Sequence, residues 1–279
     1  MVEEEQALSL SKGSDTLLPI YCERWDWFSF ANLSIDTYKP MKTDILAIGV
    51  HPDDVELSAS GTILRHLDLG YTVAICDLTQ GELGTRGSGS LRLEEAKMAQ
   101  EVLGVAHRIN LGMADGFFLP TEENIKKLIS AIRLFRPEIV LANALTDRHP
   151  DHGRASKLIS DACFYSGLSK IKTNDEHGVD QPAWRPKAVY HYIQDRNIKA
   201  DFVVDISTYM ERKLASIMAY KSQFFNIDSR EPETPISSWS YIEYIKAKNR
   251  AYGRDINVEY AEAFNVDRNI GVRNLFDLL

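Results

Sequence analysis

The chain has 279 residues, 44% hydrophobic and 26% charged, ordinary proportions for a globular protein of one or two domains with a sizeable core. Its formal net charge of -8 argues against broad electrostatic binding to nucleic acid or anionic lipid and leaves any basic site local. Cys22, Cys76 and Cys163 are far apart and suggest neither a disulfide framework nor a zinc knuckle, which fits a reducing cytoplasm. No apolar run approaches the ~18 to 20 residues that span a bilayer. The acidic opening Glu3-Glu4-Glu5 is unlike a targeting segment.

Residues 1–40 combine a polar, acidic start with Tyr21, Trp25, Trp27, Phe28, Phe30 and Tyr38, and show neither a helical nor a strand period. Two readings of this N-terminal extension stand: Met41 is the natural start, or the extension packs its aromatics on the domain surface or on a neighbouring subunit. The domain itself runs over 41–279. Asp44 to Val50 is a short apolar run of the kind buried on both faces of a sheet. It leads into His51-Pro52-Asp53-Asp54, where Pro52 forces a turn before a helix from about Glu56 to Gly70. A second strand is expected at 72–79, then a glycine-rich loop containing Arg86. A helix from Ser90 to Leu103, a strand at 108–111 and a loop with Asp115 follow. Thr121 caps a helix that Pro137 ends. The strand at 139–144 delivers His149-Pro150-Asp151-His152 and a further helix. Residues 169–187 read as a surface loop. Beyond it, strands are expected at 188–193, 202–206 and 258–264, and helices near 207–221 and 237–252. This alternation predicts a single α/β, Rossmann-like domain whose mainly parallel sheet is flanked by helices, with the active site at the carboxyl ends of the strands.

Two His-Pro-Asp turns at two strand ends can converge. Imidazoles with carboxylates suit a zinc-like divalent ion, and His51, Asp53, Asp54, His149, Asp151 and His152 offer more groups than the three a catalytic zinc needs. The surplus leaves a base and an oxyanion partner for hydrolysis. Other readings remain open: surface turns with capping carboxylates, a different metal-dependent hydrolase, or a non-catalytic sugar-binding module. His66, His107, His177 and His191 stand without ligand partners at useful spacing.

These motifs resemble the LmbE/PIG-L family of zinc-dependent N-acetylglucosamine deacetylases, over residues 41 to about 264. The segments Cys76-Asp77-Leu78-Thr79, Gly84-Thr85-Arg86-Gly87-Ser88, Leu91 to Ala96 and Tyr260 to Phe264 are similar to the bacillithiol-biosynthesis branch, which deacetylates N-acetylglucosaminyl malate. The resemblance implies His51, Asp54 and His152 as ligands of Zn²⁺, with Fe²⁺ or another divalent metal as a substitute. It implies Asp53 as general base and His149 as oxyanion partner oriented by Asp151. Arg86, Asp115 and Tyr241 become the substrate-binding candidates. A small-molecule N-acetyl sugar conjugate is the expected partner, and a homo-oligomer, often a hexamer, the expected assembly.

Overall fold

The computed structural model describes residues 38–278. Most of the N-terminal extension expected at 1–40, with Cys22 and all its aromatics but Tyr38, lies outside these described residues. The remainder follows the predicted alternation. Strands β1 (Ile45–Gly49), β2 (Val73–Asp77), β3 (His107–Asn110), β4 (Ile139–Ala142), β5 (Ala188–Tyr192), β6 (Phe202–Asp205) and β7 (Ala261–Val266) form one sheet in the order 3-2-1-4-5-7-6. The first five are mutually parallel. β7 runs antiparallel to both β5 and β6.

Strand periodicity explains the layering, because alternate side chains point to opposite faces. Leu46 and Ile48 of β1 pack with Leu128, Ile132, Ala155 and Ile159 from helices α3 (Glu122–Phe135) and α4 (Pro150–Tyr165). Ile45 and Ala47 face the other way, onto Val55, Ala59 and Ile63 of helix α1 (Asp54–Asp68). β1 is therefore buried along its whole length, as its unbroken apolar run predicted. Helices α2 (Gly89–Leu103), α5 (Met210–Met218) and α6 (Trp239–Asp255) complete the same side, with Ala96, Ala99, Met210, Ile217, Ile242 and Ile245 in one cluster.

Several boundaries differ from expectation for local reasons. α1 begins at Asp54, two residues early, because Asp53 takes the cap position. α2 is capped by Ser88 and not Ser90, the Ser88 hydroxyl accepting from the Leu91 amide. The region expected as a helix at 207–221 opens with a 3-10 turn, Ser207–Tyr209, and α5 stops at Met218.

A buried ion pair clasps α1 at mid-length. Lys213 and Glu262, at most 1% exposed, meet at 2.7 Å. The Lys213 ammonium donates to the Glu56 and Leu57 carbonyls, and the Glu262 carboxylate accepts from the Gly61 and Thr62 amides. Backbone groups of α1 are thus tied to α5 and β7. Gly61 permits the close approach: a Cβ there would stand 2.8 Å from Ile206 side-chain atoms.

Candidate active site

The order 3-2-1-4-5 reverses direction between β1 and β4, and the crevice at such a switch point is where open α/β sheets bind ligands. Both His-Pro-Asp turns lie there. At the end of β1 the chain turns so sharply that Asp53 adopts φ 124°, ψ -23°, a conformation that costs a non-glycine residue about 1–3 kcal/mol. The turn folds Asp54 back under the strand end. Its Oδ2 accepts from the Val50 and His51 amides, at 2.9 and 3.0 Å, and from the Asn143 side chain. Its Oδ1 accepts from Gln194 and lies 3.1 Å from His152 Nε2.

At the end of β4, Pro150 occupies the first turn of α4, where a missing N–H costs nothing. His149 is the cap, its Nδ1 accepting from the Asp151 amide at 3.3 Å. That bond leaves the proton on Nε2. The Asp151 carboxylate lies 3.7 Å from His51 Nε2 and 3.1 Å from Arg154, so it is the backbone of Asp151 that orients His149. One turn into α4, His152 offers Nε2 to Asp54 while its Nδ1 meets Asp147 at 2.6 Å. The three imidazoles, His51, His149 and His152, bring ligand atoms within 4.8 Å of one another, and so do His51, Asp115 and Asp151. Asp54 stands between His51 Nδ1, at 3.8 Å, and His152 Nε2.

The electrostatics favour positive charge. Burial opposes protonation of His51, but hydrogen bonds to Asp115 and Asp151 and the charge of Asp54 override it and raise its pKa to about 10. His152 is raised to about 9, the charge of Asp54 and the bond to Asp147 outweighing burial. Burial works against the Asp54 carboxylate too, yet His152 and His51 hold its pKa well below the usual range. A pocket that keeps two imidazoles charged is one into which a divalent ion fits by displacing their protons. The donor set, imidazole nitrogens with carboxylate oxygens, is that of zinc-like ions. Two groups behave oppositely. Burial raises Asp53 to about 6 against the pull of Arg92. Burial and the neighbouring His51 and His152 lower His149 below its ordinary value, so it is neutral at pH 7.

These groups open into a cavity of about 340 Å³ whose walls include Leu83, Thr85, Arg148, Ile236 and Tyr241. Of the residues expected to bind substrate, Asp115 and Tyr241 line it. Asp115 bonds His51 Nε2 at 2.9 Å and accepts from the Leu83 amide. The Tyr241 ring stacks on Phe224, and burial raises its hydroxyl pKa. Arg86 is elsewhere. Its side chain, 4% exposed, already holds Glu231 at 3.4 Å and the Ser229 hydroxyl, and the next amide, Gly87, donates to the same Glu231 carboxylate. The contact latches the loop 222–238 to the glycine-rich loop.

Four residues at the centre were not singled out from sequence: Arg92, Asn143, Asp147 and Gln194. Arg92 Nη2 meets Asp53 Oδ2 at 2.6 Å. Asn143 and Gln194 donate to Asp54, and Asn143 also donates to Gln194. Only Arg92 left a signal. It falls on the stripe of Ala96, Ala99 and Leu103 that α2 buries, and a cation on an apolar stripe is unexpected unless paired.

A sequence profile of the family described as PIG-L, GlcNAc-PI de-N-acetylase, matches residues 46–163. Diacetylchitobiose deacetylase from Thermococcus kodakarensis is 32% identical over 229 residues, which cover 78% of this chain and 80% of the relative. Among solved structures, the conserved protein TT1542 from Thermus thermophilus superposes with a TM-score of 0.72 at 33% identity, covering 83% of this chain and 98% of the other. The N,N'-diacetylchitobiose deacetylase from Pyrococcus horikoshii gives 0.69 at 28% identity, over 80% and 83%.

Proposed function

Because this chain belongs to the PIG-L family of de-N-acetylases, we propose that it is a metal-dependent hydrolase that removes the acetyl group from an N-acetylglucosamine conjugate. The observation that carries this reading is the convergence of His51, Asp54 and His152 at the ends of β1 and β4, with the Asp53 carboxylate beside them on the cavity wall. His51, Asp54 and His152 would hold the ion. When bound it supplies Lewis-acid polarisation of the acetamide carbonyl and acidifies the attacking water. Asp53, buried and poised near neutrality, takes that water's proton. His149, neutral with its proton on Nε2, donates to the oxyanion as the carbonyl becomes tetrahedral. Asp115 fixes the His51 ring from its far nitrogen, and with Tyr241 and Arg148 it bounds the space for the sugar.

The finer reading is N-acetylglucosaminyl malate, the bacillithiol precursor, supported by the segments around Thr79, Arg86, Glu94 and Phe264. A second reading, a neutral N-acetylglucosamine disaccharide, is favoured by one observation: the arginine expected to meet malate is already paired with Glu231. The family resemblance further supports a homo-oligomer, which sedimentation of the purified protein would test, and the scattered cysteines fit a reducing cytoplasm. To test the activity, the protein is incubated with N-acetylglucosaminyl malate, N,N'-diacetylchitobiose and N-acetylglucosamine, and acetate and free amine are measured. Release that chelation abolishes and Zn²⁺, Fe²⁺ or Co²⁺ restores supports the proposal. No release from any of the three overturns it. The ratio between the first two substrates decides the aglycone.

A further inference from the structure

The mechanism leaves one strong interaction without a role, the ion pair between Arg92 and Asp53. The Arg92 side chain is 8% exposed. Its Nη2 donates to Asp53 Oδ2 at 2.6 Å and its Nη1 to the Gly81 carbonyl at 3.4 Å, while Nε is buried with no partner among the described residues. Space has been cleared for it. Gly81 has φ 64°, and a Cβ there would stand 2.3 Å from Nη1. A guanidinium stays charged in protein interiors, and burying it with an unfilled donor is a poor way to gain stability compared with an apolar side chain of similar size. Its partner is the residue held at φ 124°, and backbone strain persists only where the surroundings over-determine it.

We propose that Arg92 is a positioning residue for the deacetylation, acting through Asp53. Its grip on Oδ2 keeps the Asp53 carboxylate beside the cradle of His51, Asp54 and His152 without letting it join them. The other oxygen, Oδ1, has no hydrogen-bond partner among the described residues, and Asp53 lines the cavity, so this oxygen is the one left to receive the proton. The adjacent carboxylates therefore divide their work through their partners: Asp54 is fixed by amides from Val50, His51, Asn143 and Gln194, and Asp53 by a cation from α2. The proposal rests on the reading of Asp53 as the base, and its test separates the two.

Arg92→Met, Arg92→Lys, Asp53→Asn and the double variant Arg92→Met with Asp53→Asn are compared on the best substrate. Arg92→Met is expected to lose roughly 10- to 100-fold in kcat with KM within about 3-fold and metal content unchanged, and Arg92→Lys to recover part of the loss. In the Asp53→Asn background the Arg92 substitution is expected to cost nothing further, because residues that act as a unit are not additive. A full additional loss there, or a KM effect as large as the kcat effect, would overturn the proposal in favour of a structural or substrate-binding role. A crystal structure of Arg92→Met supplies a readout independent of turnover. Asp53 relaxing to negative φ, or turning its carboxylate toward His51 and His152, supports positioning; Asp53 unmoved refutes it even if the wild-type protein deacetylates nothing. Near-normal turnover by Asp53→Asn would instead remove the base assignment.

Discussion

Asp53 and Asp54 carry identical side chains on consecutive residues, and what distinguishes them is the set of atoms that meets each carboxylate. Asp54 is wrapped by four N–H donors and two imidazoles; Asp53 meets one guanidinium and the cavity. Asp54→Asn is expected to lose the metal, measured by elemental analysis, because an amide turns one acceptor oxygen into a donor facing other donors. Asp53→Asn is expected to keep it while kcat falls roughly 10² to 10⁴-fold, the usual worth of a positioned base. The pH profile follows from the raised pKa of about 6. A base works only when deprotonated, so kcat rises with pH through a midpoint that the positive charge of a bound ion places below that value. The acidic limb should vanish in Asp53→Asn. Asp147, which holds His152 through Nδ1, is expected to matter for affinity: Asp147→Asn should weaken metal binding about 10- to 100-fold in a competition titration. The His-Pro-Asp motifs were legible because each is contiguous and names its own chemistry. Asn143, Asp147 and Gln194 were not, because their roles exist only once separate strands and helices are brought together; Arg92 showed only as a cation on a buried stripe.

At the scale of elements, strands and helices were readable from periodicity, with errors at the ends where capping geometry decides. Loops were harder. Arg86 in a glycine-rich loop looks like a free ligand for an acid, and nothing nearby reveals that Glu231, 145 residues later, supplies the acid first. The latch these two form has a measurable consequence. Glu231→Gln removes the charge from an ion pair that also anchors the Gly87 amide, and hydrogen exchange of the amides in 222–238 should become faster while that of β1 and β4 stays the same. Unchanged exchange in the loop would mean that its packing, through Phe224 and Tyr241, holds it without the latch.

For the whole molecule, alternating strands and helices were enough to place both motifs at the carboxyl edge of a parallel sheet, since topology constrains a βαβ chain so tightly. The antiparallel placement of β7 between β5 and β6 was not foreseen, because strand order at a sheet edge depends on contacts that no local pattern records. An ion held by His51, Asp54 and His152, as proposed, would join the ends of β1 and β4 and act on the whole fold. A ligand that binds only the folded state stabilises it by about 2.7 kcal/mol at 100 times Kd, so saturating Zn²⁺ should raise Tm by roughly 5 to 10 °C over chelated protein of this size. Scanning calorimetry with and without chelator measures it. A Tm indifferent to metal would mean that no ion bridges these strands.

The clasp of Lys213 and Glu262 on α1 also orders events in time. Glu262 lies 201 residues beyond Gly61, whose amide it accepts, so a ribosome releases the His-Pro-Asp-Asp turn long before the carboxylate that secures the helix behind it. During that interval the nascent chain carries α1 without the carboxylate that accepts its Gly61 and Thr62 amides. Glu262→Gln leaves the Lys213 ammonium buried without its counter-charge, expected to cost about 3–5 kcal/mol in denaturant unfolding. In a cell that cost would be felt as a larger unfolded fraction, open to proteolysis.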